Sequence, residues 1–260
     1  MNVIILAAGR GTRLGKYNAE KPKCLFNIDG SSLIERNLIL FNENNLNPII
    51  VSGFKDSELK FLNLEMVHNS EFIETNMLWS LYKAVKYMNE DFIISYSDIL
   101  VNIKLVEKLK TFNKGIGLII DKDWLNYWSI RFKDPLDDAE SLKVSNDGNI
   151  INIGQKAKNV HEIQGQYIGF LKVAGEDRLL FKKYLIDFCE NHNTKSIAKK
   201  AYLTDFLQYL INKGIQIKEI PVNGGWIEID NPSDVDAAKK SGRLSVIDND
   251  IRKIIKKNNL

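Results

Sequence analysis

Val3 to Leu6 is a short apolar run that passes directly into Ala7-Ala8-Gly9-Arg10-Gly11-Thr12-Arg13, a pattern that predicts a buried strand ending in a glycine loop. From Ser32 to Asn42 the apolar positions Leu33, Ile34, Leu38 and Phe41 fall at helical spacing, and Pro48 precedes a second strand, Ile49 to Val51, closed by Gly53. Met77 to Met88 reads as a helix with Leu78, Leu81, Tyr82, Val85 and Met88 on one face. Phe92 to Tyr96 reads as a third strand, ending in Ser97-Asp98. Further along, Leu105–Phe112, Glu176–Glu190 and Tyr202–Asn212 read as helices, and Ile116–Ile120, Tyr167–Val173 and Ile215–Val222 as strands. After Trp226 to Asp230 comes Asn231-Pro232-Ser233-Asp234, where Ser233 or Asp234 is expected to cap a final helix through Lys240.

Nearly continuous apolar strands alternating with helices predict an α/β fold, its mostly parallel sheet covered on both faces. Ligands then gather at the carboxyl ends of the strands. From Asp121 to Val160 the alternation breaks into a turn-rich stretch with Asp134-Pro135, and Asn146-Asp147-Gly148 between two alternating segments signals a hairpin. In the last segment, Arg252, Lys253, Lys256 and Lys257 interleave with Ile251, Ile254 and Ile255, as in a short amphipathic helix with a solvated basic face.

At 260 residues, with 44% hydrophobic and 27% charged, the chain has the composition of a globular fold large enough to need no staples. Cys24 and Cys189 are too few for a disulfide framework and form no zinc motif. The opening apolar residues lack a charged n-region and no run approaches the roughly 18 apolar residues of a membrane span, so a cytoplasmic location is expected. A formal charge of +3, from 36 Lys and Arg against 33 Asp and Glu, does not imply nucleic acid as a partner. His68, His161 and His192 share no spacing and make no ligand or base set.

Chemistry concentrates at the strand ends. Gly9 and Gly11 let the backbone approach a phosphate, with Arg10 and Arg13 beside the turn amides, and Pro22 stiffens the segment carrying Lys21 and Lys23. The loop lacks the third glycine of a dinucleotide fingerprint and the Gly-Lys-Ser/Thr of a P-loop. Asp98 lies just past a strand, while Glu228 and Asp230 stand two apart and share a face if extended. Such oxygen ligands suit Mg²⁺; the competing reading of Asp98 is a turn or helix cap. Trp124, Tyr127 and Trp128, with Tyr167, suit either an ammonium pocket or core packing. Arg131 and Lys143 are either cations for a ligand phosphate or solvated surface residues.

The run Leu6-Ala7-Ala8-Gly9-Arg10-Gly11-Thr12-Arg13 followed by Pro22-Lys23 resembles the signature of the GT-A-like nucleotidyltransferases. The resemblance continues through Gly30 to Arg36, Asn76 to Leu81, Ser97-Asp98 and Trp226 to Asp230, covering the chain to about residue 240. Pro22-Lys23-Cys24, the Asn76 to Leu81 spacing and the Trp226 to Asp230 element are similar to the phosphocholine and phosphonate cytidylyltransferases. Asp121 to Trp124, Trp128 to Phe132, Asp134 to Glu140 and Gln166 to Gly169 resemble the branch acting on phosphoglutamine and on aminoethyl- or hydroxyalkylphosphonates. Gly15-Lys16-Tyr17-Asn18 replaces the Pro-Leu-Thr element common in sugar-nucleotide pyrophosphorylases.

The resemblance implies a Rossmann-like GT-A domain over residues 1–240, an acceptor-binding insertion at about 121–167 and a helical tail at 241–260. It implies nucleotide contacts from Leu6 through Thr12 and from Asn76 and Ser80, where an ordinary helical serine is the alternative. It places metal ligands at Asp98, Glu228 and Asp230, and an acceptor among Trp124, Trp128, Arg131, Lys143 and Tyr167. An anionic acceptor needs no general base, so Arg13, Lys23 and Mg²⁺ would neutralise charge at the α-phosphate and the leaving pyrophosphate. The expected reaction is CMP transfer from CTP to a small phosphomonoester or phosphonate. A sugar-1-phosphate nucleotidyltransferase using UTP or dTTP and a catalytically silent nucleotide-binding module are the alternatives. The stretch from Asp121 to Val160 is long enough to serve as a homodimerisation arm.

Overall fold

The computed structural model describes residues 1–18 and 21–258, with the side chains of residues 16–18, which include the Lys16-Tyr17-Asn18 part of the element set against sugar phosphates, outside the description. Strand β1 (Asn2–Ala7) opens the chain, and a small hairpin of β2 (Asn27–Ile28) and β3 (Ser31–Ser32) leads into helix α1 (Leu33–Glu43). The helix starts at Leu33 because Ser32 and Glu35 cap one another: the Ser32 hydroxyl accepts from the Glu35 N–H while the Glu35 carboxylate accepts from the Ser32 N–H at 2.8 Å. Next come β4 (Asn47–Ser52), β5 (Glu65–His68), α2 (Met77–Lys83), β6 (Phe92–Tyr96), β7 (Ile99–Val101), α3 (Ile103–Thr111) and β8 (Gly115–Asp121). The stretch that follows holds α4 (Trp124–Arg131) and the hairpin of β9 (Glu140–Val144) and β10 (Ile150–Lys156). The chain then builds β11 (Gln166–Ala174), α5 (Asp177–Glu190), α6 (Lys195–Lys200) and α7 (Leu203–Asn212). It closes with β12 (Ile217–Val222), β13 (Trp226–Glu228), α8 (Ser233–Lys240) and α9 (Arg243–Asn258).

Seven strands form the central sheet in the order β12-β8-β11-β6-β1-β4-β5. All neighbours run parallel except β11, which is antiparallel to both β6 and β8, so the sheet is mixed and mostly parallel as expected. Alternate residues of β1 feed two cores: Val3 and Ile5 pack with α1, α3, α4 and α9, while Ile4 and Leu6 pack with α2, α5 and α7. This is a parallel-type sheet buried on both faces.

Several expected elements differ. The Met77–Met88 helix stops at Lys83 and gives way to a 3₁₀ turn at Val85–Tyr87. The Asn146–Gly148 hairpin forms, with Gly148 at φ 77° donating to the Ser145 carbonyl, but the stretch before it is less irregular than it reads. Trp124, Tyr127, Trp128 and Arg131 stand at helical spacing and make α4, whose aromatic residues belong to the core. The segment packs on its own body: α4 lies against α8, and β10 against α7. Neither Ser233 nor Asp234 caps α8 from its own N-cap position; the Asn231 carboxamide oxygen accepts the Ser233 N–H, and the Asp234 carboxylate accepts from the Asp230 and Asn231 N–H groups. That helix is not the last. α9 begins at Arg243 and buries Leu244, Ile247, Ile251 and Ile254 in the main core, whereas Ile255, expected on its apolar face, is 44% exposed.

Candidate active site

The site lies at the carboxyl ends of the central strands, where the loop after β1 meets the turn after β6. Here the short β13–β7 pair decides the geometry. Glu228 lies opposite Ile99 in that antiparallel register, and the Ile229 N–H donates to the Asp98 carbonyl at 3.0 Å. Carboxylate oxygens of Asp98, Glu228 and Asp230, 132 residues apart in sequence at the extremes, consequently fall within 4.8 Å of one another. Lys23, positioned by the 3₁₀ turn Lys23–Leu25 after Pro22, pairs with Asp98 at 2.6 Å and also with Asp230. Arg13 reaches Asp230 at 2.6 Å from the open side, its side chain 71% exposed.

Electrostatics follow from this crowding. Burial alone would lower the Lys23 ammonium, but Asp98, Asp230 and Glu228 outweigh it and hold the lysine charged above its ordinary range. Burial raises Glu228, opposed by Arg131 and helped by Asp98 and Asp230, which pushes its carboxyl up to about 7. Burial also works against Asp230, yet Lys23, Arg13 and Arg131 hold it below the usual carboxylate range. One oxygen of Asp98, Oδ1, is buried without a hydrogen-bond partner. Three clustered carboxylates with an orphaned oxygen fit a hard divalent cation, which prefers oxygen ligands and keeps positions for phosphate and water.

Two clefts open on either side of this cluster and share Met77 and Tyr96 on their walls. The first, of 160 Å³, is lined by Leu6, Ala8, Gly9, Gly11, Lys23, Phe72, Thr75, Asn76, Ser80, Ser97 and Asp98. Two of its lining residues pack against Gly53, where a Cβ would fall 2.7 Å from Phe72 Cβ and 2.8 Å from the Ala8 carbonyl oxygen. Gly11 turns the loop with φ 62°. Ser80 is buried on the first turns of α2 with its hydroxyl accepting from Asn69 at 3.0 Å, while the Asn76 carboxamide donates to the Lys200 carbonyl. Ala7 is buried behind the loop; Arg10 and Thr12 are exposed on it, with Arg10 5.3 Å over the Phe54 ring.

The second cleft, of 180 Å³, is lined by Arg13, Trp128, Asp138, Glu140, Gln166, Tyr167, Tyr202, Thr204, Trp226, Glu228 and Asp230. Gly169, at φ 78°, makes this wall possible: a Cβ there would lie 2.3 Å from the Tyr96 ring, and the β11 register slips between Tyr167 and Leu171 at the same place.

Of the residues expected to hold the acceptor, Trp128 and Tyr167 line this cleft and the others do not. Trp124 is buried behind it, stacked edge-on to Trp128 with centroids 6.1 Å apart. Lys143 stands exposed on β9, away from the cleft walls. Arg131 is the clearest departure: its side chain is 0% exposed and pairs with Glu228 at 2.7 Å and Asp234 at 3.0 Å. Its Nη1 and Nε are taken by these two carboxylates and its Nη2 is buried without a partner, so the guanidinium faces Glu228 and Asp234 and not the cleft. Asp121 plays a comparable part unforeseen from sequence, accepting hydrogen bonds from the Gly224 N–H, Trp226 Nε1 and Arg243 and so fixing the turn that launches β13. Tyr96, Tyr202 and Thr204 were also missed as wall residues, since nothing local marks them.

A glycine loop at the end of β1, a lysine among three carboxylates and a cleft on each side are the arrangement of a nucleotidyltransferase. Residues 3–114 match the model of the MobA-like NTP transferase domain. The chain is 35% identical to a CTP:phosphoglutamine cytidylyltransferase of Campylobacter jejuni, over 91% of this chain and 98% of that one. It therefore belongs to the nucleotidyltransferase family that includes this cytidylyltransferase. A choline-phosphate cytidylyltransferase of Haemophilus influenzae is 28% identical over 48% of this chain and 57% of its own length. The solved CTP:phosphocholine cytidylyltransferase of Streptococcus pneumoniae shares the fold, with a TM-score of 0.72 at 17% identity over 92% of this chain and 98% of that one. Among the described residues no helix is long and apolar enough to cross a membrane.

Proposed function

We propose that this enzyme transfers CMP from CTP to a small acceptor bearing a phosphate or phosphonate. The observation that carries this reading is the junction of two clefts at one charged cluster: the glycine-loop cleft suits the nucleotide, the second cleft suits the acceptor, and Lys23, Arg13 and the three carboxylates stand between them. The amides of the Gly9–Gly11 loop would receive the nucleotide phosphates, with Asn76 and Ser80 toward the base. Asp98, Glu228 and Asp230 would hold Mg²⁺. When bound, the ion supplies charge neutralisation on the α-phosphate and the departing pyrophosphate.

An acceptor oxygen attacks the α-phosphorus in line, forming the new P–O bond as the bond to the bridging oxygen breaks and pyrophosphate leaves with its electron pair. Lys23, kept cationic by its carboxylate neighbours, stabilises charge developing in that step, and Arg13 adds an exposed second cation at the open rim. No base is required, because the acceptor arrives as an anion. The use of CTP, a cytoplasmic metabolite, supports a cytoplasmic location for the reaction. The test is pyrophosphate release with each of CTP, UTP and dTTP against phosphocholine, phosphoglutamine, aminoalkylphosphonates and sugar 1-phosphates. Release with CTP and a non-sugar acceptor is expected; release confined to UTP or dTTP with a sugar phosphate contradicts the proposal, as does nucleotide binding with no turnover.

A further inference from the structure

We propose that Asn69, a positioning residue behind the wall of the first cleft, sets a preference for cytosine over uracil by locking the Ser80 hydroxyl as a donor toward N3 of the base. The inference deepens the reading of that cleft as the nucleotide site and rests on it. Asn69 is fully buried and does not line the cleft, whereas Thr75 and Ser80 do. Its backbone is tied to the end of β4, where its N–H donates to the Ser52 carbonyl at 2.8 Å. Its carboxamide has one possible orientation. The Oδ1 atom accepts the Glu71 N–H at 3.1 Å, so Nδ2 faces two hydroxyls, Thr75 at 3.1 Å and Ser80 at 3.0 Å.

The direction of each bond follows from which groups can donate. Thr75 donates its hydroxyl hydrogen to the Glu71 carbonyl at 2.8 Å, and its oxygen accepts one hydrogen of the Asn69 amide. Ser80 accepts the other, which leaves its own hydrogen over. No acceptor takes that hydrogen among the described residues, and the helical carbonyl four residues back, that of Asn76, already receives the N–H groups of Trp79 and Ser80. Ser80 is buried in the cleft wall, so its hydrogen is satisfied when a ligand brings a lone pair to it. The two pyrimidines differ here at one ring atom: N3 carries a lone pair in cytosine and a hydrogen in uracil, whereas O2 is an acceptor in both. A hydroxyl locked as donor bonds N3 of CTP. Against UTP it meets another donor, and both are left unpaired in a buried contact. Ser80 cannot turn to accept instead without giving up its bond to Asn69.

The experiment is calorimetric binding of CTP, UTP and 3-deaza-CTP, in which a C–H replaces N3, to the protein in Mg²⁺ without acceptor. Wild type should bind CTP at least about tenfold tighter than either of the others. Asn69→Asp should reverse the choice in alkaline buffer, which keeps the new carboxylate ionised. That carboxylate accepts from Ser80 and turns the hydroxyl lone pairs to the cleft, so UTP should bind at least as tightly as CTP. Asn69→Ala frees the hydroxyl and should bring the two nucleotides within about threefold of each other. Ser80→Ala leaves the Asn69 turn in place and should do the same. CTP that binds wild type no tighter than 3-deaza-CTP overturns the inference without recourse to any variant. A wild-type CTP-to-UTP ratio in a folded Asn69 variant, with both nucleotides weakened alike, reduces Asn69 to a structural part and overturns its role; a ratio preserved in Ser80→Ala overturns the inference whatever the Asn69 variants do. Pyrophosphate release with the acceptor panel, measured in parallel, separates the two readings. Transfer from CTP and UTP alike sinks this inference alone, and a CTP preference in binding without transfer sinks the reaction while leaving the base assignment standing.

Discussion

The two clefts share the Met77 and Tyr96 walls but are built in opposite ways. The residues of the first cleft come from four short stretches of the amino-terminal half, 6–11, Lys23, 72–80 and 96–98. The second cleft is assembled from α4, the bend into β9, the bulged start of β11, the start of α7 and the β13 segment. One side therefore depends on local backbone conformation, at Gly11 and Gly53, and the other on distant elements being held in register by buried polar contacts such as Arg131–Asp234 and Asp121–Arg243. A family can keep the first and vary the second, because changing an acceptor wall does not require rebuilding the loop.

The largest effect that would break this comparison belongs to the shared centre. Asp98→Asn and Asp230→Asn each remove a charge while keeping shape, so Mg²⁺-dependent turnover should disappear with the thermal transition preserved. Activity and unfolding measured on the same preparation check this, and normal Mg²⁺ dependence in folded Asp98→Asn removes that residue from the site.

Lys23→Ala should come next, lowering kcat by about 10²–10³ with a small change in CTP affinity. Arg13→Ala should cost less, because its exposed guanidinium is partly replaced by solvent. Steady-state kinetics against CTP binding separate the two effects, and a Lys23→Ala enzyme with near wild-type kcat contradicts the role given to the lysine.

Arg131 tests how far the acceptor side is a matter of support. Arg131→Ala leaves Glu228 and Asp234 without their buried cation, a loss that in comparable buried pairs costs about 3–5 kcal/mol. The unfolding temperature should drop and the Mg²⁺ concentration for half-maximal activity should rise. Arg131→Lys should recover only part, since a point charge cannot reach both carboxylates as the guanidinium fork does. A raised acceptor KM with unchanged stability and metal dependence would return Arg131 to direct acceptor binding.

The smallest effect concerns Glu140. Burial, Asp138 and Asp205 raise its carboxyl from 4.5 to about 7, so between those values the folded chain keeps a proton that the unfolded chain has released. Stability from this group is present below about pH 4.5 and is lost as pH rises through 7. Glu140→Gln should therefore match wild type near pH 4.5 and unfold about 2–4 °C higher at pH 8. Scans at both values check the sign, and a variant less stable at pH 8 contradicts it.

Legibility in the sequence follows the same division. Six of the seven strands of the sheet, all but the edge strand β5, the glycine loop, Lys23 and the three acids could be read because each sits in a short run whose pattern is local. Their convergence could not, since it depends on Ile229 pairing with the Asp98 carbonyl across the chain. Arg131 read as a free cation because its partners, Glu228 and Asp234, lie about a hundred residues away. Lys143 read as a ligand for its charge alone, and the hairpin carries it to an exposed face. Helix α4 was hidden by the turn signals around it, although Trp124, Tyr127, Trp128 and Arg131 already had the period of a buried helical face.

The most direct measurement of the two-cleft arrangement is a crystal structure with a non-hydrolysable CTP analogue and Mg²⁺. The cytosine should lie beside Asn76 and Ser80, the phosphates along Gly9–Gly11, and the metal about 2.0–2.1 Å from oxygens of the Asp98, Glu228 and Asp230 cluster, with the Trp128–Tyr167 cleft open to solvent. A nucleotide seated between Trp128 and Tyr167, or a metal bound away from those three carboxylates, would contradict it.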